Sequence, residues 1–161
     1  MTQHPDEHRK DFLLNLIKEN DFRLGAELGV HEGVTHFYLL DNCPNLTMVG
    51  VDRYQGNQAK YWPPVAEKLA SYGLRSRFYN DTTYNAAQNV GTGELDFVFI
   101  DADHSYNGCL VDIRTWFSKV RTGGYVCGHD CEHPDVKRAI IEFFGADGYE
   151  TDIDEVWYVK K

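Results

Sequence analysis

The sequence predicts a doubly wound α/β fold, a mostly parallel sheet with helices on both faces. Three observations predict it. Strand-length apolar runs alternate with helix-period runs along the chain. The run Leu95-Asp96-Phe97-Val98-Phe99-Ile100 is apolar at nearly every residue, as a strand covered on both faces requires. Acids recur at the strand ends, beyond which the ligands of such sheets sit.

Phe12, Leu13, Leu16 and Ile17 recur at helical spacing in an otherwise charged stretch, so residues 1–23 are expected to carry an amphipathic helix on the edge of the domain. Strands are expected at 24–30, 46–52, 75–79, 95–102 and 124–130. Helices are expected at 34–42, at 65–72 after the Pro63-Pro64 break, and at 83–90. Tyr106, Leu110, Ile113, Phe117 and Val120 form a further helical stripe, stopped by Gly123-Gly124. Val136, Ala139, Ile140, Phe143 and Phe144 form the next, opened by Pro134 and closed by Gly145. Residues 149–153 and 156–160 suit two final strands joined by a short acidic turn.

At 161 residues, 42 % hydrophobic and 25 % charged, the chain fits one domain spanning 1–161. A chain of this length buries roughly 70 % of its unfolded surface, so it needs no disulfide or structural metal. Lys plus Arg number 16 against 25 for Asp plus Glu, a net charge of −9. The overall field repels polyanions, which argues against nucleic acid and anionic membrane as partners. No window approaches the roughly 18 apolar residues of a membrane span, and the polar start carries no signal-peptide pattern. Cys43, Cys109, Cys127 and Cys131 fall in helix or strand segments rather than in a disulfide framework, so a cytoplasmic setting is expected.

The first strand leads through Glu27-Leu28-Gly29-Val30-His31-Glu32-Gly33 into a helix. This is not the dinucleotide pattern G-x-G-x-x-G. Its glycines still allow close ligand approach, and the amides opening the helix can meet a carboxylate. The second strand ends at Asp52, where a carboxylate can accept both hydroxyls of a ribose. The third ends Tyr79-Asn80-Asp81-Thr82 and the fourth Ile100-Asp101-Ala102-Asp103-His104. Each acid alone reads as a cap or a solvated loop residue; acids at successive strand ends point to a nucleoside-type site.

These segments, with Gly123-Gly124 leading into Gly128-His129-Asp130, resemble the class I S-adenosylmethionine-dependent methyltransferases over residues 24–161. The resemblance implies a Rossmann-like, mostly parallel seven-stranded sheet with an antiparallel last strand, and S-adenosylmethionine as cofactor. It implies that Glu27, Gly29 and Gly33 hold the methionine end, Asp52 the ribose and Asp81 the adenine, with Asp101 also facing the cofactor. His31 stands where many members carry glycine. The chemistry agrees, because a methyl sulfonium is a cation with a carboxylate tail and an adenosine, suited to acids and helix amides together.

The chain is most similar to small-molecule O-methyltransferases of the catechol and macrolide-sugar types, some of which use a divalent metal. That resemblance implies metal ligation by Asp101 and Asp130, joined here by His129, which stands where an acid is usual. Oxygen ligands favour Mg²⁺, whereas imidazole favours a transition ion such as Mn²⁺. It also implies His104 as general base, three residues after Asp101, with an ordinary pKa near neutrality. A plainer alternative has His104 cap the following helix and Asp101 only orient cofactor groups.

Cys127, His129, Cys131 and His133 alternate, but ligands marching along one strand cannot converge tetrahedrally, so zinc is not expected. Tyr54, Tyr61 and Trp62 make 54–62 either a substrate flap or a loop anchored to the core. So small a cover suggests an open site for a small-molecule acceptor or one closed by a second copy in a homodimer. Two other classes remain: a noncatalytic S-adenosylmethionine or nucleoside-binding module, and a nicotinamide-dependent oxidoreductase, the latter disfavoured by the missing fingerprint. Transfer to nitrogen ranks low, since no Asn-Pro-Pro-Tyr-type tetrapeptide follows the fourth strand.

Overall fold

The computed structural model describes residues 6–161, with side chains from His8 onward. The elements run α1 Asp6–Glu19, β1 Leu24–Leu28, α2 Val34–Asn42, β2 Thr47–Asp52, α3 Trp62–Ser71, β3 Ser76–Asn80, α4 Thr83–Ala86, β4 Leu95–Ile100, α5 Tyr106–Phe117, β5 Val120–Gly128, α6 Pro134–Phe144, β6 Glu150–Thr151 and β7 Trp157–Lys160. Met1 to Pro5, the start of the segment expected to carry the first helix, lie outside the described residues.

The seven strands form one sheet in the order β3-β2-β1-β4-β5-β7-β6. β3, β2, β1, β4 and β5 are parallel, and β7 returns antiparallel against β5. Strand order reverses between β1 and β4. The side chains of β4 alternate between the faces: Val98 and Ile100 join Ile113, Trp116 and Ile140 from α5 and α6, while Phe97 and Phe99 join Leu13, Ile17 and Leu39 from α1 and α2. This two-sided burial explains the apolar run that marked β4 in the sequence. α3 adds a smaller cluster, Val65 and Leu69 against Tyr54, Trp62 and Phe78. Among the described residues no helix is long and apolar enough to cross a membrane.

Four sequence expectations change. α1 is not an edge helix; Leu13, Leu16 and Ile17 bury against Met48, Phe97 and Cys127 on one sheet face. The stripe through Val120 is two elements, because α5 stops at Phe117 and Val120 opens β5; Gly123-Gly124 lies inside that strand, where a Cβ on Gly124 would strike the Asp96 carbonyl. Pro63 and Pro64 do not break α3 but sit in its first turn, where the missing N–H has no intrahelical acceptor. The helix expected over 83–90 divides into α4 and a 3₁₀ turn at Ala87–Asn89.

The end of the sheet away from the strand carboxyl termini is tied by Asp96. Its Oδ2 accepts from the amides of Arg23 at 2.6 Å and Leu24 at 2.9 Å, and its Oδ1 from Arg121 Nε at 2.7 Å. Burial pushes this carboxyl up, but the amides and the guanidinium outweigh it and hold the group below its ordinary 3.8. Asp96→Ala is expected to cost about 2 kcal/mol at neutral pH, read by urea unfolding. A carboxyl with a depressed folded pKa contributes stability above its unfolded value and loses it as pH falls through the folded one. The gap between wild type and variant should therefore close below about pH 4.

Candidate functional site

The carboxyl ends of the parallel strands open onto a cleft of about 1170 Å³, lined by Glu27, Gly29, Asp52, Asp81, Asp101, His104, His129 and Asp130. Strands β1, β4 and β5 end two residues earlier than the apolar pattern suggested, so Asp101, His129 and Asp130 stand just past the hydrogen-bonded ladder. Main-chain bonds continue across these ends: Gly29 N donates to Val51 O at 2.8 Å, Asp101 N to Leu28 O at 2.9 Å and His129 N to Ile100 O at 3.1 Å. The functional side chains thus hang from fixed backbone.

Gly29 has φ 89°, and a Cβ there would run into the Asp101 carbonyl oxygen, so no other residue fits. Gly33 corrects the sequence reading. It lies outside the cleft lining, and its glycine is required because a Cβ would strike the Phe37 ring at a φ of 80°. His31 takes the left-handed region at φ 49°, a strain of about 1–2 kcal/mol. Two bonds offset it: His31 N donates to Asp52 Oδ2 at 2.7 Å, and its carbonyl accepts from the Tyr54 hydroxyl at 2.6 Å. Glu32, Val34 and Thr35 carry the opening of α2 into the cleft wall, and the first amides of a helix have no intrahelical partner. The aromatic residues of 54–62 divide. Tyr54 and Trp62 pack on Phe78 as anchors, whereas the Tyr61 ring meets His31 edge-on at 4.4 Å.

At the far end of the cleft Asp81 Oδ1 accepts from Asn85 Nδ2 at 3.0 Å and from Thr82 N at 2.6 Å, and these bonds hold its carboxyl low. Behind it Asp112 is buried, bonded by the Thr83 hydroxyl, and burial raises its pKa to about 6.

The centre of the cleft is a knot of charges. His104 Nε2 lies 3.3 Å from Asp101 Oδ1 and 2.9 Å from Asp130 Oδ2. Those two carboxylates raise His104 to about 10, and the two histidines hold Asp130 far below the usual range. These contacts favour the imidazolium form of His104 over the ordinary titration expected of it. His104 is not a helix cap, since the Ser105 hydroxyl caps α5 by accepting from Gly108 N.

Among the described residues, the groups that converge as metal ligands are Asp101, His104 and Asp130, their ligand atoms within 4.8 Å of one another. His129, expected in that set, lies behind it, with Nδ1 3.2 Å from Asp130 Oδ2 and 3.4 Å from Arg9 Nη1. The alternation from Cys127 to His133 does not persist, because β5 ends at Gly128; Cys127 is core, with its thiol donating to Val98 O.

Two site residues escaped the sequence reading. Arg9 enters the cleft from α1 and donates to Asp101 Oδ2 at 3.5 Å. Its position three and four residues before Phe12 and Leu13, on the apolar face of the helix, was the available signal. Asp112 falls between Cys109 and Trp116 on the buried face of α5, an acid where the spacing calls for an apolar residue.

A family model described as a methyltransferase domain matches residues 26–131. A protein of Acanthamoeba polyphaga mimivirus is 23 % identical over 135 residues, covering 80 % of this chain, and the chain spans 60 % of that relative's length. The TDP-rhamnose 3′-O-methyltransferase CalS11 of calicheamicin biosynthesis superposes with a TM-score of 0.75 at 14 % identity, covering 96 % of this chain and 78 % of its own. The Podospora anserina methyltransferase PaMTH1, solved with S-adenosylhomocysteine, superposes with a TM-score of 0.72 at 12 % identity, covering 98 % and 82 %. At such identities the superpositions speak to the fold.

Asp112 generates a pH signature. Its folded pKa of about 6 exceeds the unfolded value of 3.8, so between those values the native state holds the extra proton and stability falls as pH rises. Asp112→Asn removes that slope. At pH 8 the variant is expected to exceed wild type by on the order of 2 kcal/mol in urea unfolding, with the difference vanishing near pH 4.

Proposed function

The chain belongs to the methyltransferase-domain family, and from that membership we propose that it transfers the methyl group of S-adenosylmethionine to a hydroxyl oxygen of a small molecule. The convergence of Asp101, His104 and Asp130 beside the strand ends carries this reading, because an imidazole between two carboxylates in the cleft suits proton removal from an acceptor hydroxyl. The cleft exceeds the usual size of a single small-ligand pocket and has room for a nucleoside cofactor with a small acceptor.

Asp52 suits the ribose hydroxyls, Asp81 the adenine amino group, and Glu27 with the opening of α2 the zwitterionic tail. Gly29 lets the cofactor approach the backbone. Two carboxylates also fit a divalent cation, Mg²⁺ or Mn²⁺, with Asp101 and Asp130 as its holders. Such an ion, when bound, orients the acceptor hydroxyl and lowers its pKa. His104 in its neutral form takes the hydroxyl proton on Nε2. The oxygen then forms its bond to the methyl carbon as the carbon–sulfur bond breaks, leaving S-adenosylhomocysteine. Four thiols, all buried, suit a reducing cytoplasmic setting. The small cover formed by α1 and residues 54–62 suits a site completed by a second copy of the chain.

Titration calorimetry with S-adenosylhomocysteine tests the cofactor half. Wild type should bind at micromolar level, and Asp52→Ala should weaken binding about tenfold or more, since it removes a charged acceptor from both ribose and His31 N. No binding by wild type, with or without Mg²⁺ or Mn²⁺, would sink the reading. For the transfer half, a panel of catechols and sugars is assayed with and without EDTA. His104→Ala should lower turnover about a hundredfold or more while leaving S-adenosylhomocysteine affinity within about twofold. A binding module without catalysis would show no turnover to lose.

A further inference from the structure

His36, in α2, is fully buried beneath the cleft, and its Nδ1 lies 3.0 Å from Glu27 Oε2. Glu27 lines the cleft and His36 does not. The imidazole occupies a slot that the sequence keeps open: Gly50 stands beside Glu27 in the β1–β2 register, and a Cβ on it would come within 2.9 Å of His36 Cε1. His36 Nε2 has no hydrogen-bond partner among the described residues. A buried ionisable pair with one nitrogen unsatisfied is a poor stabilising device, since two apolar side chains of the same volume would avoid both desolvation penalties. Burial dominates and holds the Glu27 carboxyl above its ordinary range, and the His36 contact works against that, favouring the carboxylate. The cleft-facing member is the carboxylate, and the opening of α2 lines the same cleft. A group presenting an ammonium and a carboxylate on one carbon matches that neighbourhood.

We propose that His36 is a positioning residue, which fixes the Glu27 carboxylate from behind so that it receives the α-ammonium of the cofactor's amino-acid tail. The proposal rests on the reading that the cleft takes S-adenosylmethionine. A free glutamate has several rotamers, and the bond from Nδ1 to Oε2 selects one of them before the cofactor arrives, which lowers the ordering cost of binding. His36 therefore discriminates ligands with the amino-acid tail from those without it.

Two ligands separate the parts: S-adenosylhomocysteine, and 5′-methylthioadenosine, a nucleoside thioether lacking the amino acid. In calorimetric titrations of the full chain, His36→Leu should weaken S-adenosylhomocysteine about tenfold and leave methylthioadenosine within about twofold. His36→Asn, which keeps a donor near the Nδ1 position, should recover most of the loss. In a Glu27→Gln background His36→Leu should add nothing further, because the effect passes through the carboxylate. Equal weakening of both ligands, no weakening of S-adenosylhomocysteine, or an undiminished effect in the Glu27→Gln background overturns the proposal. If His36→Leu does not fold, the imidazole ¹⁵N spectrum of wild type decides. The His36 Nδ1 resonance should move with S-adenosylhomocysteine and stay with methylthioadenosine, and a resonance unmoved by both overturns the proposal. Wild type that binds neither ligand overturns the methyl-transfer reading and this one with it, whereas binding of both without a His36 effect overturns this one alone.

Discussion

The contact between Gly29 and the backbone of Asp101 is the constraint on which the site depends. Strand order reverses between β1 and β4, and the helices that follow them, α2 and α5, leave for opposite faces. A crevice opens there only if the two strand ends stay adjacent past the last ladder bond. They do because Gly29 has no side chain to strike the Asp101 carbonyl and can take φ 89°. Glu27 and Asp101 line the cleft on either strand of that junction, and Asp52 reaches across to the loop through His31 N. Much of the rigidity needed to aim several side chains at one ligand comes from this backbone.

The second organising feature is how the cleft tolerates its acids. Desolvated carboxylates repel one another and raise the cost of folding. Here three of them are given nitrogen partners: Glu27 has His36, Asp101 has His104 and Arg9, and Asp130 has His104 and His129. His104, about half exposed, lies on the open side of Asp101 and Asp130, whereas Arg9 and His129 are mostly buried. His36 lies behind Glu27, so an incoming cation meets the carboxylate without displacing it. Strain accompanies this arrangement at His31 and Asp130, both left-handed without being glycine.

Much of this was legible in the residues. The strand and helix alternation, the two-sided burial of β4 and the acids at successive strand ends follow from periodicity and residue type, because burial on a sheet imposes period 2 and on a helix period 3.6. Asp52, Asp101, His104 and Asp130 could be picked out since each stands at or shortly past the end of an apolar strand. Boundaries were less legible: Val120 fits the stripe of α5 as well as it fits the start of β5, and only the register with Leu95 separates the two.

The sequence by itself determined the fold class, the end of the sheet where the site lies and the acidic chemistry of that end, because these rest on local patterns read along one chain. Tertiary structure decided the partners. That His104 rather than His129 converges with Asp101 and Asp130, that Arg9 crosses from α1 to reach them, that Gly33 serves packing rather than the cleft, and that His36 sits behind Glu27 depend on distances between elements far apart in sequence. Residue type and spacing carry no record of such distances; the strand order and the packing of α1 and α2 on the sheet set them.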